Sequence, residues 1–391
     1  MKNIFIPLLS ILSLSLILFS CGEREGKRDL NPSYSLVIYD SIDLPDHKAI
    51  YIKDYNPKTR TYVGMFDTDV VGFTKDSLMF SWSRYGNGNE EYNNQFVFKY
   101  SNVKFDNDST LMINSYHYLK YYDLLGNFKN NVRIDSNLYT NTRMILGKNP
   151  FNDSEYVFQG CNSSTEESLN REYTNVELNQ YHNFFVFDTI NRCSKLYGKP
   201  EKESIINIEG KGFEYHDPKV CLNKANKSVE VLFDQDFKVF SYNLDNLLSY
   251  NIIQLKPDYA TKQMFIEEES YTDKSYELAD KRHALSTYYK HFYTSKDTII
   301  SLYKSGVSEK VFDEEIRAGQ GHWDIYNKYA KPYIEYYING KKQTNDIPLD
   351  KNYYLLFING TNDIILAKRD QEITINNEPK RRLFFAKLEK L

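Results

Sequence analysis

The chain has 391 residues, with 49 lysines and arginines against 53 aspartates and glutamates and a formal net charge of −4. No basic field exists to attract a polyanion, which excludes nucleic-acid binding as a function class. The length alone allows two or three domains, although repeat folds and barrels of this size form single units, so the organisation of repeats has to decide.

The first twenty residues carry one charge, Lys2, followed by Ile4-Phe5-Ile6-Pro7-Leu8-Leu9 and an apolar run from Ile11 to Phe19 broken by Ser13 and Ser15. That is the n-region and h-region of a secretory signal. The run ends in Leu18-Phe19-Ser20-Cys21, which resembles the lipobox of bacterial lipoproteins, with Phe19 bulkier than the usual residue there. The resemblance implies cleavage before Cys21 and a diacylglycerol on its thiol. An uncleaved membrane helix is the competing reading, but it needs about 20 apolar residues. This run is shorter and is followed by the solvated segment Gly22-Glu23-Arg24-Glu25-Gly26-Lys27-Arg28-Asp29. The expected layout is a signal peptide at 1–20, a lipidated tether at 21–30 and a folded domain at 31–391. The membrane is then a partner through the lipid on Cys21, and the expected address is the cell envelope, at the outer membrane. The side stays open, because Glu23 and Glu25 are offset by Arg24 and Lys27. Loss of residues 1–20 removes only Lys2 and leaves 48 basic side chains against 53 acidic ones, a net charge of −5.

From Tyr34 onward the hydrophobic signal comes in short bursts of period two: Ser35-Leu36-Val37-Ile38-Tyr39, Gln95 to Tyr100, Phe184-Phe185-Val186-Phe187, Val229 to Phe233 and Tyr353 to Phe357. Bursts of β-branched and aromatic residues bounded by Asn, Asp, Ser and Gly read as strands of an antiparallel all-β protein. The 34 Tyr and 24 Phe suit a pleated, half-buried surface. Long amphipathic helices are not expected, with one exception between Glu267 and Leu285.

A weak repeat of polar turn, apolar strand and aromatic strand recurs. Its clearest copy runs from Asn107-Asp108-Ser109-Thr110 through Tyr118 to Phe128 and on to Val132-Arg133-Ile134, with a tight turn at Asp123 to Asn127 in which Gly126 is free to take positive φ. Related starts lie at Lys75, Asn152, Asn223, Ser295 and Asn362. Strand repeats at such intervals indicate a β-propeller, whose blades run to about 40–50 residues in familiar families. A pair of β-sandwiches would show a linker, and no Pro/Gly/Ser-rich segment divides the chain. The expected fold is a single β-propeller of six four-stranded blades, seven being the alternative. A propeller must close its ring or expose a sheet edge, so the early strand Tyr34 to Tyr39 is expected to join the last blade.

The lipobox, the Tyr122-Asp123-Leu124-Leu125-Gly126-Asn127 turn and the Asp-Ser/Thr strand openings together resemble the six-bladed propeller lipoproteins of Bacteroidota, including a family of unknown function. The resemblance spans the mature chain. It implies one propeller domain at the cell envelope and carries no catalytic residue over.

Candidate chemistry is sparse. Cys161, Cys193 and Cys221 form an odd set after lipidation of Cys21, allowing one intramolecular bridge at most, and their spacing matches no zinc pattern. Buried thiols are the expectation. His283 and His291 span a helix-to-strand transition, and His216-Asp217 sits in a polar turn where an oriented base is outweighed by an ordinary surface pair. Asp106-Asn107-Asp108 opens like a calcium loop, but Leu111 stands where the glycine belongs and His117 where the final Glu belongs, so a strand-opening turn explains it. The sequence leaves room for a structural calcium ion in the central channel without naming a ligand. The cluster Glu267-Glu268-Glu269 reads as a solvated face, since consecutive acids cannot all meet one ligand. No nucleophile elbow, Walker loop or dinucleotide fingerprint is present.

Two polar, Gly-containing aromatic segments between strands stand out, one with Trp82, Arg84 and Tyr85, the other with Arg317, His322 and Trp323. Loops on a rigid scaffold carry function, and aromatic faces flanked by Arg, Asn and His suit sugars or peptides; a core-edge Trp under an ordinary loop is the plainer explanation. Asp40-Ser41-Ile42, Asp76-Ser77-Leu78, Asp108-Ser109-Thr110, Asp188-Thr189-Ile190 and Asp297-Thr298-Ile299 match an O-glycosylation acceptor pattern that strand-opening turns also generate. The leading expectation is a non-enzymatic envelope binding or interaction module for a glycan, peptide or protein, with these six residues as ligand contacts. The alternative is a metal-assisted hydrolase or lyase working in the central channel.

Overall fold

Runs such as Tyr156-Val157-Phe158 and Phe184-Phe185-Val186-Phe187 are apolar on both sides of the pleat, which suits a strand covered on both faces. In the computed structural model all seven of these residues are buried. The structure describes residues 33–45, 50–66, 69–83, 102–115, 118–134, 144–161, 182–199, 201–204, 211–212, 218–261, 266–267, 281–368, 373–375 and 378–391.

The first strand, β1 (Tyr34–Pro45), belongs to the last blade. Blade 1 is β2 (Tyr51–Asn56), β3 (Thr61–Phe66), β4 (Asp69–Phe73) and β5 (Leu78–Ser83). Blade 2 is β6 (Asn102–Asn107), β7 (Thr110–Ser115), β8 (Tyr118–Asp123) and β9 (Phe128–Arg133). Blade 3 is β10 (Met144–Asn149), β11 (Asn152–Cys161), β12 (His182–Asp188) and β13 (Cys193–Tyr197). A short β14 (Lys211–Gly212) precedes blade 4, which is β15 (Lys219–Asn223), β16 (Ser228–Leu232), β17 (Lys238–Asn243) and β18 (Asn246–Gln254). A two-residue β19 (Ile266–Glu267) pairs with β14. Blade 5 is β20 (Tyr288–Ser295), β21 (Thr298–Lys304), β22 (Pro332–Ile338) and an outer strand in two pieces, β23 (Lys341–Lys342) and β24 (Ile347–Pro348). Between β21 and β22 stand two helices, α1 (Glu309–Arg317) and α2 (His322–Tyr329). Blade 6 is β25 (Tyr353–Ile358), β26 (Ile364–Lys368), β28 (Glu378–Lys390) and β1, with β27 (Ile373–Ile375) folded onto β28.

The innermost strands β2, β6, β10, β15, β20 and β25 touch neighbour to neighbour all the way round, so the six antiparallel sheets form a closed ring. The apolar core is distributed as wedges between adjacent blades: Val63 and Val70 of blade 1 pack with Val103 and Leu111 of blade 2, and Val157 and Phe184 of blade 3 with Val229 and Phe240 of blade 4. The expected closure is present. β1 pairs antiparallel with β28 from Tyr34↔Lys390 to Pro45↔Lys380, with a register shift between Ile38 and Asp40. Asp43 accepts two parallel bonds from the Arg382 guanidinium at 2.7 and 2.9 Å, the geometry in which Arg–carboxylate pairs are strongest.

A short polar device recurs where each of the first four innermost strands ends. The side-chain oxygens of Asn56, Asn107, Asn149 and Asn223 accept the backbone N–H of Lys58, Ser109, Phe151 and Asn226 at 3.0–3.2 Å. These Asx turns fix the hairpins locally. Asn56 also donates to Asp108 of the next blade, and Asn223 to Thr294, so the same residues tie blades together. Gly126 takes φ 86° in the Asp123–Asn127 turn, as its position in the sequence requires. Of the five glycosylation-like tripeptides, Asp40-Ser41-Ile42 lies within β1 rather than in a turn, because the bulge there keeps the strand running; Asp188-Thr189-Ile190 closes β12 rather than opening a strand.

Glu335 in β22 is fully buried and accepts hydrogen bonds from the hydroxyls of Tyr289 at 2.8 Å, Ser301 at 3.1 Å and Tyr337 at 2.7 Å. Burial, then the nearby Asp346 carboxylate, pushes its pKa up to about 7 from an ordinary 4.5. The folded state therefore holds a proton that the unfolded chain releases between those two values, so this group's contribution to stability falls as pH rises through that window. The shift corresponds to about 3 kcal/mol at roughly 1.4 kcal/mol per unit. Chemical denaturation of wild type and Glu335→Gln between pH 4.5 and 7.5 checks it: wild type should lose stability relative to the variant by about that amount as pH rises. A constant difference would contradict the assignment.

Candidate functional site

Within each blade the strands are antiparallel, so the first and third connections lie at one end of the ring and the second connection at the other, together with the crossings between blades. The helices occupy the second connection of blade 5. This corrects the expectation of a polar loop around Arg317 to Asp324: Ser308 caps α1, accepting the N–H of Val311 at 3.5 Å, Glu309 stands in the first turn and Arg317 in the last. Gly319 then takes φ 82°, which ends α1, and Gly321 opens α2. The apolar sides of the pair, Phe312, Ile325 and Tyr326, pack with Val307 and with Ala284 and Leu285 from the helical residues 281–285.

Trp323 stands on this cap and is 56% exposed. Its indole leans on the buried His283 at 4.6 Å between ring centroids, with Tyr326 edge-on at 6.4 Å. His283 in turn meets Tyr288 at 4.5 Å and Tyr326 at 4.9 Å. An exposed aromatic braced on a buried aromatic cluster has little rotamer freedom left to lose, so a ligand that stacks on it gains most of the contact energy. His322 stacks on Phe312 at 5.6 Å, and the Arg317 side chain folds back to donate to the Asp313 carbonyl at 3.0 Å.

Beneath the cap, the buried Tyr326 hydroxyl has no hydrogen-bond partner among the described residues. Burial, then the Asp234 carboxylate, raises its pKa, and the Lys304 ammonium lies 4.8 Å from its ring. Asp234 pairs with Lys219 at 2.8 Å, and Gln235 donates to the Tyr288 hydroxyl at 2.7 Å. Blade 4 and the helical cap of blade 5 thus meet over a polar floor.

The structure groups Arg317, His322 and Trp323 on this cap and places Trp82 elsewhere. Trp82 is not in a loop: it lies in β5 opposite Val70. Its ring meets Tyr122 of blade 2 at 5.3 Å and covers Gly126, where an added Cβ would come within 2.7 Å of the indole. Its surroundings are those of a packing residue between blades 1 and 2. Arg84 and Tyr85 lie outside the described residues, as do Cys21, His216 and Asp217.

The remaining candidates fall into separate settings. His291 sits on β20, where burial and then Lys219 and Lys290 pull its pKa down to about 4. Asp106 accepts from the Tyr156 hydroxyl at 2.8 Å and pairs with Lys148 at 3.0 Å, and Asp108 pairs with Lys58, so both carboxylates join blades. Glu267 lies in β19, while Glu268 and Glu269 lie outside the described residues. Cys193 is a free, exposed thiol, against the expectation of burial, because it opens the outer strand of blade 3; Cys221 is free and half-buried, with burial pushing its thiol up to about 12. Among the described residues, no group of three or more His, Cys, Asp or Glu is placed to hold a metal ion. The sequence passed over Tyr288 and Tyr326 as site residues; the spacing Ile325, Tyr326, Tyr329 on a helical face was the available signal.

No protein-family model and no curated protein sequence matches the chain. Solved structures do. A crystal structure of a DUF4221 family member from Bacteroides vulgatus superposes with a TM-score of 0.58 at 12% identity, covering 92% of this chain and 99% of that one. A crystal structure of a protein from Bacteroides fragilis, described as exported, gives 0.53 at 11% identity, with 91% and 96% covered. This chain shares their propeller fold. The six-bladed ring read from the sequence is the architecture of this chain.

Proposed function

We propose that the chain is a cell-envelope lipoprotein whose propeller serves as a binding module, with Trp323 on the helical cap of blade 5 as the anchor for a glycan. The supporting observation is an exposed indole held rigidly by His283 and Tyr326. A flat apolar ring flanked in α2 by the polar residues His322 and Asp324 suits the mixed apolar and hydroxylated faces of a sugar. Envelope location is supported by the signal-like N-terminus and by the exported Bacteroides fragilis protein with the same fold. Anchoring at the outer membrane rests on Cys21 and its lipobox.

The chain has two tryptophans, so in a Trp82→Phe background fluorescence reports on Trp323 alone. Titration with soluble bacterial polysaccharide fragments should shift that emission, and Trp323→Ala should weaken binding roughly 5- to 150-fold, corresponding to about 1–3 kcal/mol for a lost aromatic anchor, while barely moving Tm. Equal binding by Trp323→Ala, or a response to peptides and to no glycan, would overturn the glycan assignment. For the anchor, Cys21→Ala should release the protein from the membrane fraction; unchanged membrane association would contradict lipidation.

A further inference from the structure

Five of the six innermost strands carry one lysine each: Lys53 in β2, Lys104 in β6, Lys148 in β10, Lys219 in β15 and Lys290 in β20. Among the described residues, three of them are seen to meet a carboxylate. Lys148 pairs with Asp106 at 3.0 Å, Lys219 with Asp234 at 2.8 Å and Lys104 with Asp54 at 3.5 Å. Lys53 differs. Its ammonium lies 5.6 Å from the Tyr51 ring, and no carboxylate among the described residues pairs with it.

Backbone geometry aims Lys53 at this position. The pairing of β2 with β3 shifts register between Ile52 and Asp54, so Lys53 is the extra residue of a bulge on the inner edge of blade 1, and bulges re-aim the side chain they carry. From the adjoining blade 2, the Lys104 ammonium donates to the Lys53 carbonyl at 2.6 Å. Lys104 thus spends one donor on that carbonyl and faces Asp54 on one side, with further N–H capacity remaining. Lys53, Cys221 and His291 are all closely surrounded by protein yet reached by solvent. All three stand on innermost strands, at the blade edges nearest the centre of the ring. Burial, then Lys104, draws the Lys53 ammonium below the ordinary lysine range, and Lys104 is felt as far away as Cys221 on blade 4.

Lys104 already faces the Asp54 carboxylate, whereas Lys53 has no carboxylate partner among the described residues, so the half-buried charge of Lys53 is the one left uncompensated, at a cost to the fold. We propose that the central channel holds a small oxyanion, a phosphate or carboxylate group, between the ammonium groups of Lys53 and Lys104 at the inner edges of blades 1 and 2. Two compact cations on flexible stems suit either group as point charges. This site is independent of the glycan surface on blade 5, and either can hold or fail without the other.

The test uses the full chain at pH 7 and constant ionic strength, following thermal unfolding against inorganic phosphate, against acetate, and against chloride as reference. Phosphate or acetate should raise Tm in a saturable way beyond chloride. Lys53→Met and Lys104→Met should each shift the half-saturating concentration upward at least tenfold, while Lys351→Met, in an exposed turn, should keep the wild-type response. General stabilisation by phosphate acts on all variants alike and cancels in that comparison. In anion-poor buffer Lys53→Met should melt at or above wild type, since it removes an uncompensated charge. A response to phosphate alone assigns a phosphate site, and a response to acetate assigns a carboxylate site. Responses identical to chloride, an unchanged midpoint in Lys53→Met, or a Lys53→Met variant that melts several degrees below wild type without anion would each overturn the proposal.

Discussion

A propeller ring closes only if its last blade is completed, and here the chain completes it with strands from both of its ends. β28 brings the C-terminus to the third position of blade 6 and β1 adds the N-terminal strand outside it. Without β1, blade 6 would be left a three-stranded sheet. β1 reaches further still: the Tyr34 ring meets Tyr336 of blade 5 edge-on at 5.3 Å, and its backbone N–H donates to Thr344 at 3.2 Å. One strand therefore seals blade 6 and holds it against its neighbour.

Because each blade is narrow, stability resides between blades. Apolar wedges fill these gaps, and polar ties cross them at the strand ends, where Asn56, Asp106, Asp108 and Asn223 reach the next sheet. A scaffold held this way leaves its connections free to vary. Blade 5 uses that freedom for two helices that support Trp323, while in β2 a bulge sets the position of Lys53 on the inner edge of blade 1. The two candidate ligand sites thus draw on different parts of one geometry, an insertion at the ring's end and the strand edges at its centre.

Strand positions were legible because β-branched and aromatic bursts have period two and few other folds tolerate so many of them. Ring closure was legible from the unpaired early strand. The helical pair was not, since Gly319 and Gly321 with His322 and Asp324 suggest a loop, and only the apolar spacing Val311, Phe312, Ile316 marks α1. Trp82 resembled Trp323 in its polar, glycine-containing setting, yet one packs on Gly126 of the next blade and the other stands in solvent; that difference depends on a neighbour 44 positions away in the chain. Glu335 gave little local sign of burial, because two of its three hydroxyl partners, Tyr289 and Ser301, lie on strands β20 and β21 that only the fold brings beside β22. That Lys53 and Lys104 lie on neighbouring innermost strands likewise required knowing the ring.

Native-state hydrogen exchange across β1 and β28 tests the closed ring most directly. If the N-terminal strand is integral to one cooperative propeller, its paired amides should exchange only on global unfolding, with protection equal to that of the buried strands β16 and β21. Amides of β1 that exchange orders of magnitude faster while β16 and β21 stay protected would show a strand that merely rests on a ring closed without it.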